Sequence, residues 1–305
     1  MADDLRAWAT AWQDAAFGRN GFYRRTVAEE HFATDVTDGI DVARRLIDLM
    51  APELETIVAR HGSATVTDAG AGSGLLVRQL AGLLPSSLIE QVAWRAIDIR
   101  ARPDDLPAAI TWFQLDIRDL GTTVSAVPGV VVAHELLDDI PCDVLEIDDD
   151  GARRVVLVDP DNGREELGPP LTSLEADGIL GGAATRVDGW CDAWWPRREP
   201  AARIEVGCAR DDVWRTLTDL VPDGLAIAID YAHTRQDRDA GVWDGGTLVG
   251  YHEGRICRPV PDGRCNITAH VALDACAASA EQTGAEPAIE RGRGDMWWLA
   301  QRMGR

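Results

Sequence analysis

The stretch "VTDAGAGSGLL" (residues 66–76) places an acid, Asp68, ahead of glycines at Gly70, Gly72 and Gly74. Each glycine makes backbone ordering more costly, so three at alternate positions after a β-branched run need a reason. Two readings stand: a tight strand-to-helix turn, or a loop on which a cofactor lies. Upstream, "ATVTDAG" reads as a strand, and downstream, "LLVRQLAGLLP" reads as a helix. Together they form the first β-turn-α unit of an open α/β sheet.

Working outward, apolar runs recur as strands at "VAWRAIDI" (92–99), "AITWFQLDI" (109–117), "GVVVAHELL" (129–137) and "GLAIAIDYAH" (224–233). Apolar strands separated by helical or turn segments indicate a mostly parallel sheet buried on both faces. Residues 1–60 read as a helical segment: "ADDLRAWATAWQDAAF" and "DVARRLIDLMAPELETIVARHG" carry apolar residues at helical spacing, with the loop "AEEHFATDVTDG" between them. Residues 61–144 and 223–305 form the expected core. The intervening 145–222 is too long for an ordinary connection and is expected to form an inserted cap or lid. It contains a possible strand pair in "DVLEIDDDGARRVVLVD" and the tryptophan-rich "GWCDAWWPRREP". After residue 233 a strand is expected at "TLVGYHEG" and a helix from "NITAHVALDACAASAEQTG".

The chain has 305 residues, 46% of them hydrophobic, enough for a full core. Its formal net charge of −21 disfavours nucleic acid as a partner. No run approaches the length of a membrane span, and the acidic start is unlike a signal peptide, so a cytoplasmic protein is expected. The six cysteines form no C-x-x-C pair or zinc spacing, and no metal is expected.

A nicotinamide fingerprint would be G-x-G-x-x-G, but Gly74 comes one place early and position 75 is Leu. The loop instead resembles the acid-x-G-x-G-x-G loop of class I methyltransferases, which implies S-adenosyl-L-methionine as cofactor. The resemblance implies a Rossmann-like sheet with helices on both faces, Asp68 ending the first strand, and Gly70, Ala71, Gly72 and Gly74 beside the methionine part. It also implies Asp98 on the ribose hydroxyls, Asp116 with Ile117 near the adenine, and His134 at the next strand end. Singly, each acid serves equally as a cap or a solvated surface group. Jointly, acids at successive strand ends lie on the side of an open sheet where ligands bind.

A more specific resemblance follows. "HELLDDIP" (134–141) is similar to the N-E-x-x-D-A-x-P element of the MidA-like family of S-adenosylmethionine-dependent methyltransferases, which includes the mitochondrial complex I assembly factor that methylates a protein arginine. In order come "ARIEVG" (202–207), "AIAIDYAH" (226–233) and "GTLVGYHEGRICRPVPDGRCNITAHVALDA" (246–275), which resemble the family's later elements. Four departures stand out: His134 for the family's Asn, Asp139 for Ala, Ala232 for Gly, and Asn266 for the Asp before "ITAHV". "HFATDVTDG" only loosely resembles the family's D-F-x-T-S-P-E loop.

The resemblance implies methyl transfer to a protein arginine by in-line displacement, with alignment and exclusion of water as the enzyme's main tasks. Carboxylates are then needed to hold the planar guanidinium and localise its charge. By motif position these are Glu135, Asp138, Glu205 and Asp230. His233 and His270 are candidates to take a proton, or equally histidines satisfying buried carbonyls. Trp190, Trp194 and Trp195 either close over a cation or form the core of the insertion. Two other functions remain open: O- or N-methylation of a small-molecule acceptor, and a non-catalytic assembly factor binding a partner protein. A homodimer is possible.

Overall fold

In a computed structural model, which describes residues 5–25, 40–121, 123–196, 199–280 and 286–304, the chain opens with strand β1 (Arg6–Ala7) and helices α1 (Trp8–Phe17), α2 (Phe22–Arg25) and α3 (Asp41–His61). Helix α3 buries Leu46, Met50, Leu54 and Ile57, the spacing of one helical face, and stops at Gly62 in the left-handed conformation (φ +82°). The loop resembling D-F-x-T-S-P-E lies outside the described residues.

Alternation of strand and helix then builds the main sheet from β2 (Ala64–Ala69), α4 (Leu75–Leu83), β3 (Val92–Asp98), β4 (Ile110–Gln114) and β5 (Gly129–His134). Every residue of β2 and β5 is buried, as expected of strands covered on both faces. After a second region come α7 (Cys208–Asp219), β10 (Gly224–His233), α8 (Arg235–Asp239), β14 (Val271–Ala272), α9 (Leu273–Ser279), β15 (Ala288–Arg291) and β16 (Met296–Met303). The strand order is β15-β16-β10-β5-β2-β3-β4, with β14 beside the end of β10. From β10 to β4 all pairings are parallel, while β16 and β15 run antiparallel. Winding proceeds from β2 outward to β4, then returns to place β5 on the other side of β2. A crevice must open where the winding reverses, at the carboxyl ends of these strands.

One face of the sheet packs on α3 and α4 through Met50, Leu54, Val66, Leu80, Val130 and Ile227. The other packs on α7 and α9 through Trp214, Leu217, Val131, Ala228 and Leu273. The second region holds a smaller antiparallel sheet of β1, β6 (Val144–Ile147), β7 (Arg153–Val158), β8 (Glu165–Pro170) and β9 (Arg203–Glu205), with α5 (Leu174–Ile179) and α6 (Ala184–Trp194). Trp190 and Trp195 are buried in its core with Leu145 and Ile204, and Trp194 packs at its edge. A three-stranded sheet, β12-β11-β13, completes the chain, with β11 (Val249–His252), β12 (Arg255–Cys257) and β13 (Asn266–Thr268).

The helix expected from residue 266 is a correction: its first part is strand β13, then β14, and α9 begins only at Leu273. Short apolar runs carry no clear period, and pairing of Asn266–Thr268 with β11 decides the conformation. Among the described residues no helix is long and apolar enough to cross a membrane.

Gly129 opens β5, paired with Thr65 of β2 on one side and Gly224 of β10 on the other. A Cβ there would lie 1.9 Å from the Thr65 carbonyl oxygen, a backbone atom that cannot move without breaking the sheet. Gly129→Ala is therefore expected to destabilise the fold by about 3 kcal/mol or more, within the range of severe core changes. A urea unfolding curve compared with wild type checks this.

Candidate active site

The crevice at the reversal point is a cleft with about 1010 Å³ of space free of protein atoms, its open mouth included. Of the glycine loop, Gly70, Ala71 and Gly72 line it, as do Asp68, Asp98, Asp116, Ile117, His134 and Glu135. Gly74 does not line it; with φ +74° it ends the turn at the start of α4. Gly70 and Gly72 also have positive φ, +74° and +59°, and a Cβ on Gly70 would come 2.8 Å from Leu136 Cδ1. The loop is therefore pressed against the turn after β5, with backbone rather than side chains facing the cleft.

The acids differ in their surroundings. Gly72 N–H donates to Asp98 Oδ2 at 2.8 Å, and Arg100 donates from N at 2.8 Å and Nε at 3.1 Å to Oδ1. Asp98 thus fastens the glycine loop to β3. Burial pushes Asp116 up, but the Arg118 guanidinium and backbone N–H outweigh this and hold it below its ordinary value. Asp68 is buried without a cation: burial, then the Asp98 charge, push its pKa up to about 7, and its Oδ2 has no hydrogen-bond partner. Burial lowers His134 to about 4, so its imidazole is neutral, and Nε2 makes no hydrogen bond, Glu135 Oε1 lying 3.6 Å away. A buried site with orphaned polar atoms at its wall is suited to a polar ligand.

A second cavity of about 520 Å³ is lined by Glu135, Asp138, Asp139, Tyr231, Val249, Tyr251, Asn266, Thr268 and His270. Glu135 and Asp139 line both cavities, so this pocket adjoins the cleft across two carboxyls. Glu135 has φ +48°, a strained conformation for a non-glycine residue. The turn that strains it is held by Asp230, whose Oδ2 accepts backbone N–H bonds from Leu136 (3.2 Å), Leu137 (2.8 Å) and Asp138 (3.3 Å). Asp138 Oδ2 accepts from Thr268 Oγ1 at 2.8 Å. Burial raises Asp138, and burial together with the neighbouring Asp138 charge raises Asp230.

The structure brings together Glu135, Asp138 and His270 in the pocket, with Asp230 directly beneath. Burial lowers His270, whose ring lies between Tyr231 (centroids 6.0 Å) and Trp243 (4.8 Å). Asp230 itself lines neither cavity, and two further predicted residues, which also line neither, lie away from the pocket. Glu205 is buried and accepts from Thr247 N (2.6 Å), Thr247 Oγ1 (2.5 Å) and Leu248 N (2.8 Å), joining β9 to the segment before β11. His233 packs on Trp195, and its Nδ1 accepts from Arg238 at 2.8 Å. Burial, then the Arg238 charge, push it well below its ordinary value. Trp190 and Trp195, as core residues, also lie outside the pocket.

Tyr23, Tyr251 and Thr268 were not singled out by sequence, although Tyr251 and Thr268 lie inside the quoted motifs. Nor was Arg210, a buried guanidinium that donates to the carbonyls of Ile140 (3.1 Å), His270 (2.7 Å) and Asp138 (3.1 Å). Its helical position gives no periodic signal of a role beside the pocket.

Residues 50–290 match a family model described as "Putative S-adenosyl-L-methionine-dependent methyltransferase". The chain belongs to this methyltransferase family. The methyltransferase shares its fold with a superfamily member from Burkholderia thailandensis bound to S-adenosyl-homocysteine. That protein is 20% identical, with a TM-score of 0.67 over 93% of this chain and 73% of the other. A second superfamily protein from Burkholderia thailandensis, in a native crystal structure, is also 20% identical, with a TM-score of 0.63 over 93% and 72% of the two chains. No curated protein matches the methyltransferase. Its cofactor is S-adenosyl-L-methionine.

Two outcomes follow from the loop. Gly72→Val places a β-branched side chain at φ +59° beside the Asp98 bond, and the Kd for S-adenosylhomocysteine is expected to rise at least about tenfold, measured by isothermal titration. Asp68 binds its proton more tightly folded (about 7) than unfolded (near 3.8), so wild-type stability falls as pH rises between these values. Asp68→Asn removes that fall: its stability relative to wild type is expected to rise by up to about 4 kcal/mol from pH 4 to pH 8 in urea titrations, and a flat difference would refute it.

Proposed function

We propose that the methyltransferase transfers a methyl group to a guanidinium nitrogen of a protein arginine, as its MidA-like motifs imply. The observation that carries this reading is the acidic pocket, with Glu135, Asp138 and Asp139 in its wall, Asp230 below, and two of those carboxyls shared with the cofactor cleft. Carboxylates gathered out of water are costly unless a cation joins them. A guanidinium supplies that charge together with planar donors for bidentate pairing. Tyr231 and Tyr251 line the same pocket.

In this reading the cleft residues hold the cofactor. Asp98 has lone pairs left for the ribose hydroxyls, Asp116 and Ile117 border the adenine, and Asp68, Gly70, Ala71, Gly72 and His134 surround the methionine part. The bound cofactor supplies an electrophilic methyl on a sulfonium. The chain's own residues align the acceptor: Glu135, at the junction, grips one edge of the guanidinium, with Asp138 beside it in the pocket wall and Asp230 holding the turn that carries both. Glu205 and His233 act through the scaffold, not on the acceptor.

Wild-type enzyme with labelled S-adenosylmethionine and cell extract is expected to label protein, recovered after hydrolysis as methylarginine. Glu135→Gln is expected to lower kcat/KM by about 100-fold, the scale of losing a charged transition-state contact. Label found solely in the small-molecule fraction would refute the arginine reading.

A further inference from the structure

Arg210, in the first turn of α7, is 1% exposed, and its guanidinium makes no ion pair among the described residues. Its donors go to main-chain carbonyls instead: Nε to Ile140 at 3.1 Å, Nη2 to Asp138 at 3.1 Å and Nη1 to His270 at 2.7 Å. Burying a cation is costly, and apolar side chains filling the same space are often neutral or stabilising for a fold. What an apolar side chain cannot do is hold three carbonyls from separate parts of the chain, a task that suits a planar fork of donors.

Those carbonyls belong to the two segments that carry most of the second pocket's wall. The turn after β5 supplies Glu135, Asp138 and Asp139, and the β13–β14 segment supplies Asn266, Thr268 and His270. Two bonds join these segments directly: Ala269 N–H donates to the Asp138 carbonyl at 3.2 Å, and Thr268 Oγ1 donates to Asp138 Oδ2 at 2.8 Å. Both converge on Asp138, and a seam fastened at one residue leaves the segments free to pivot about it. Arg210 adds two further anchors, at Ile140 in the turn and at His270 beyond β13. The His270 N–H is held in its turn by Thr247 Oγ1 at 2.8 Å, and that hydroxyl donates to Glu205. The main chain of His270 is therefore fixed at both its polar groups, while its ring lies between Tyr231 and Trp243. Arg210 itself lines neither cavity.

We propose that Arg210 is a positioning residue for methyl transfer: it locks the carboxylate-bearing turn to the His270 segment, so that Glu135 and Asp138 meet the acceptor in one arrangement. It acts through these two segments and touches neither acceptor nor cofactor. A misplacement of about 1 Å at a reacting centre costs on the order of 100-fold in rate, so what Arg210 contributes is the rigidity of the wall. Its charge works in the same direction: burial raises Asp138, and the Thr268 bond and then the Arg210 charge pull it back towards the ionised form that a cationic acceptor needs. The inference rests on the second pocket being the acceptor site, and not on the acceptor being an arginine.

The test uses the full chain and two variants: Arg210→Met, which keeps most of the volume and removes every donor, and Arg210→Lys, which keeps the charge but has a single nitrogen for three carbonyls. Calorimetry with S-adenosylhomocysteine counts the intact cofactor sites. Labelled S-adenosylmethionine with cell extract then gives kcat per intact site, the label in the protein and small-molecule fractions being added together. Both variants are expected to keep the Kd for S-adenosylhomocysteine and the KM for S-adenosylmethionine within about twofold of wild type, the mark of an undisturbed cleft. Arg210→Met is expected to lose about 100-fold in kcat per intact site, and Arg210→Lys about tenfold. A wild-type kcat per intact site in Arg210→Met overturns the proposal. So does activity that falls only in step with the number of cofactor sites in both variants, which would make Arg210 a residue of the fold alone. Label confined to small molecules, with the same drop in Arg210→Met, removes the arginine reading and leaves the role of Arg210 standing; methylarginine in protein with no drop does the reverse.

Discussion

The site depends on one carboxylate accepting three backbone N–H groups. Asp230 follows the last β10 residue paired with β5, and its Oδ2 gathers the amides of Leu136, Leu137 and Asp138 as the chain leaves β5. Two neighbouring parallel strands are thereby tied at their carboxyl ends, and the intervening peptide folds into a turn tight enough to strain Glu135. Without that clasp the turn would have no reason to hold Glu135, Asp138 and Asp139 on one side. The bond also explains why an acid is tolerated at a fully buried position, since backbone dipoles replace the water it has lost.

The electrostatics of the pocket follow from the same geometry. Arg210 is buried yet bound to carbonyl oxygens, so its charge serves as a fixed positive background beneath Asp138 rather than as one half of an ion pair. That positive charge offsets part of the cost of burying the Asp138 carboxyl. The arrangement is stable as a set and poorly stable if any one member is removed, which is typical of buried charge networks.

Much of the fold was legible because its signals are local. The glycine loop, the buried parallel strands and helix α3 announce themselves by period and by turn chemistry. Residues 266–272 were not, since a run such as "NITAHV" fits helix and strand alike until β11 and β10 claim it. For the site, the positions of Glu135, Asp138 and His270 beside one pocket follow their motifs. The surroundings of Glu205 and His233 do not, because a motif marks that a residue matters and is silent on whether it faces a cavity or a Thr247 hydroxyl. Tyr23 was invisible for a different reason: it lies over 100 positions from Asp139, and only the tertiary fold brings α2 against the turn after β5.

The two cavities are assembled from different parts of the chain and, among the described residues, share only Glu135 and Asp139. The cleft is built by residues up to 140, with α1 and α2 contributing Phe17 and Tyr23, whereas the far side of the pocket comes from residues 231–270. Substitutions in that later stretch can therefore reshape what is methylated while the cofactor end of the molecule is left untouched. Such a division makes the scaffold evolvable: one cofactor compartment can be inherited unchanged by descendants that diverge in their acceptors, and the two shared carboxyls are the positions where that independence ends.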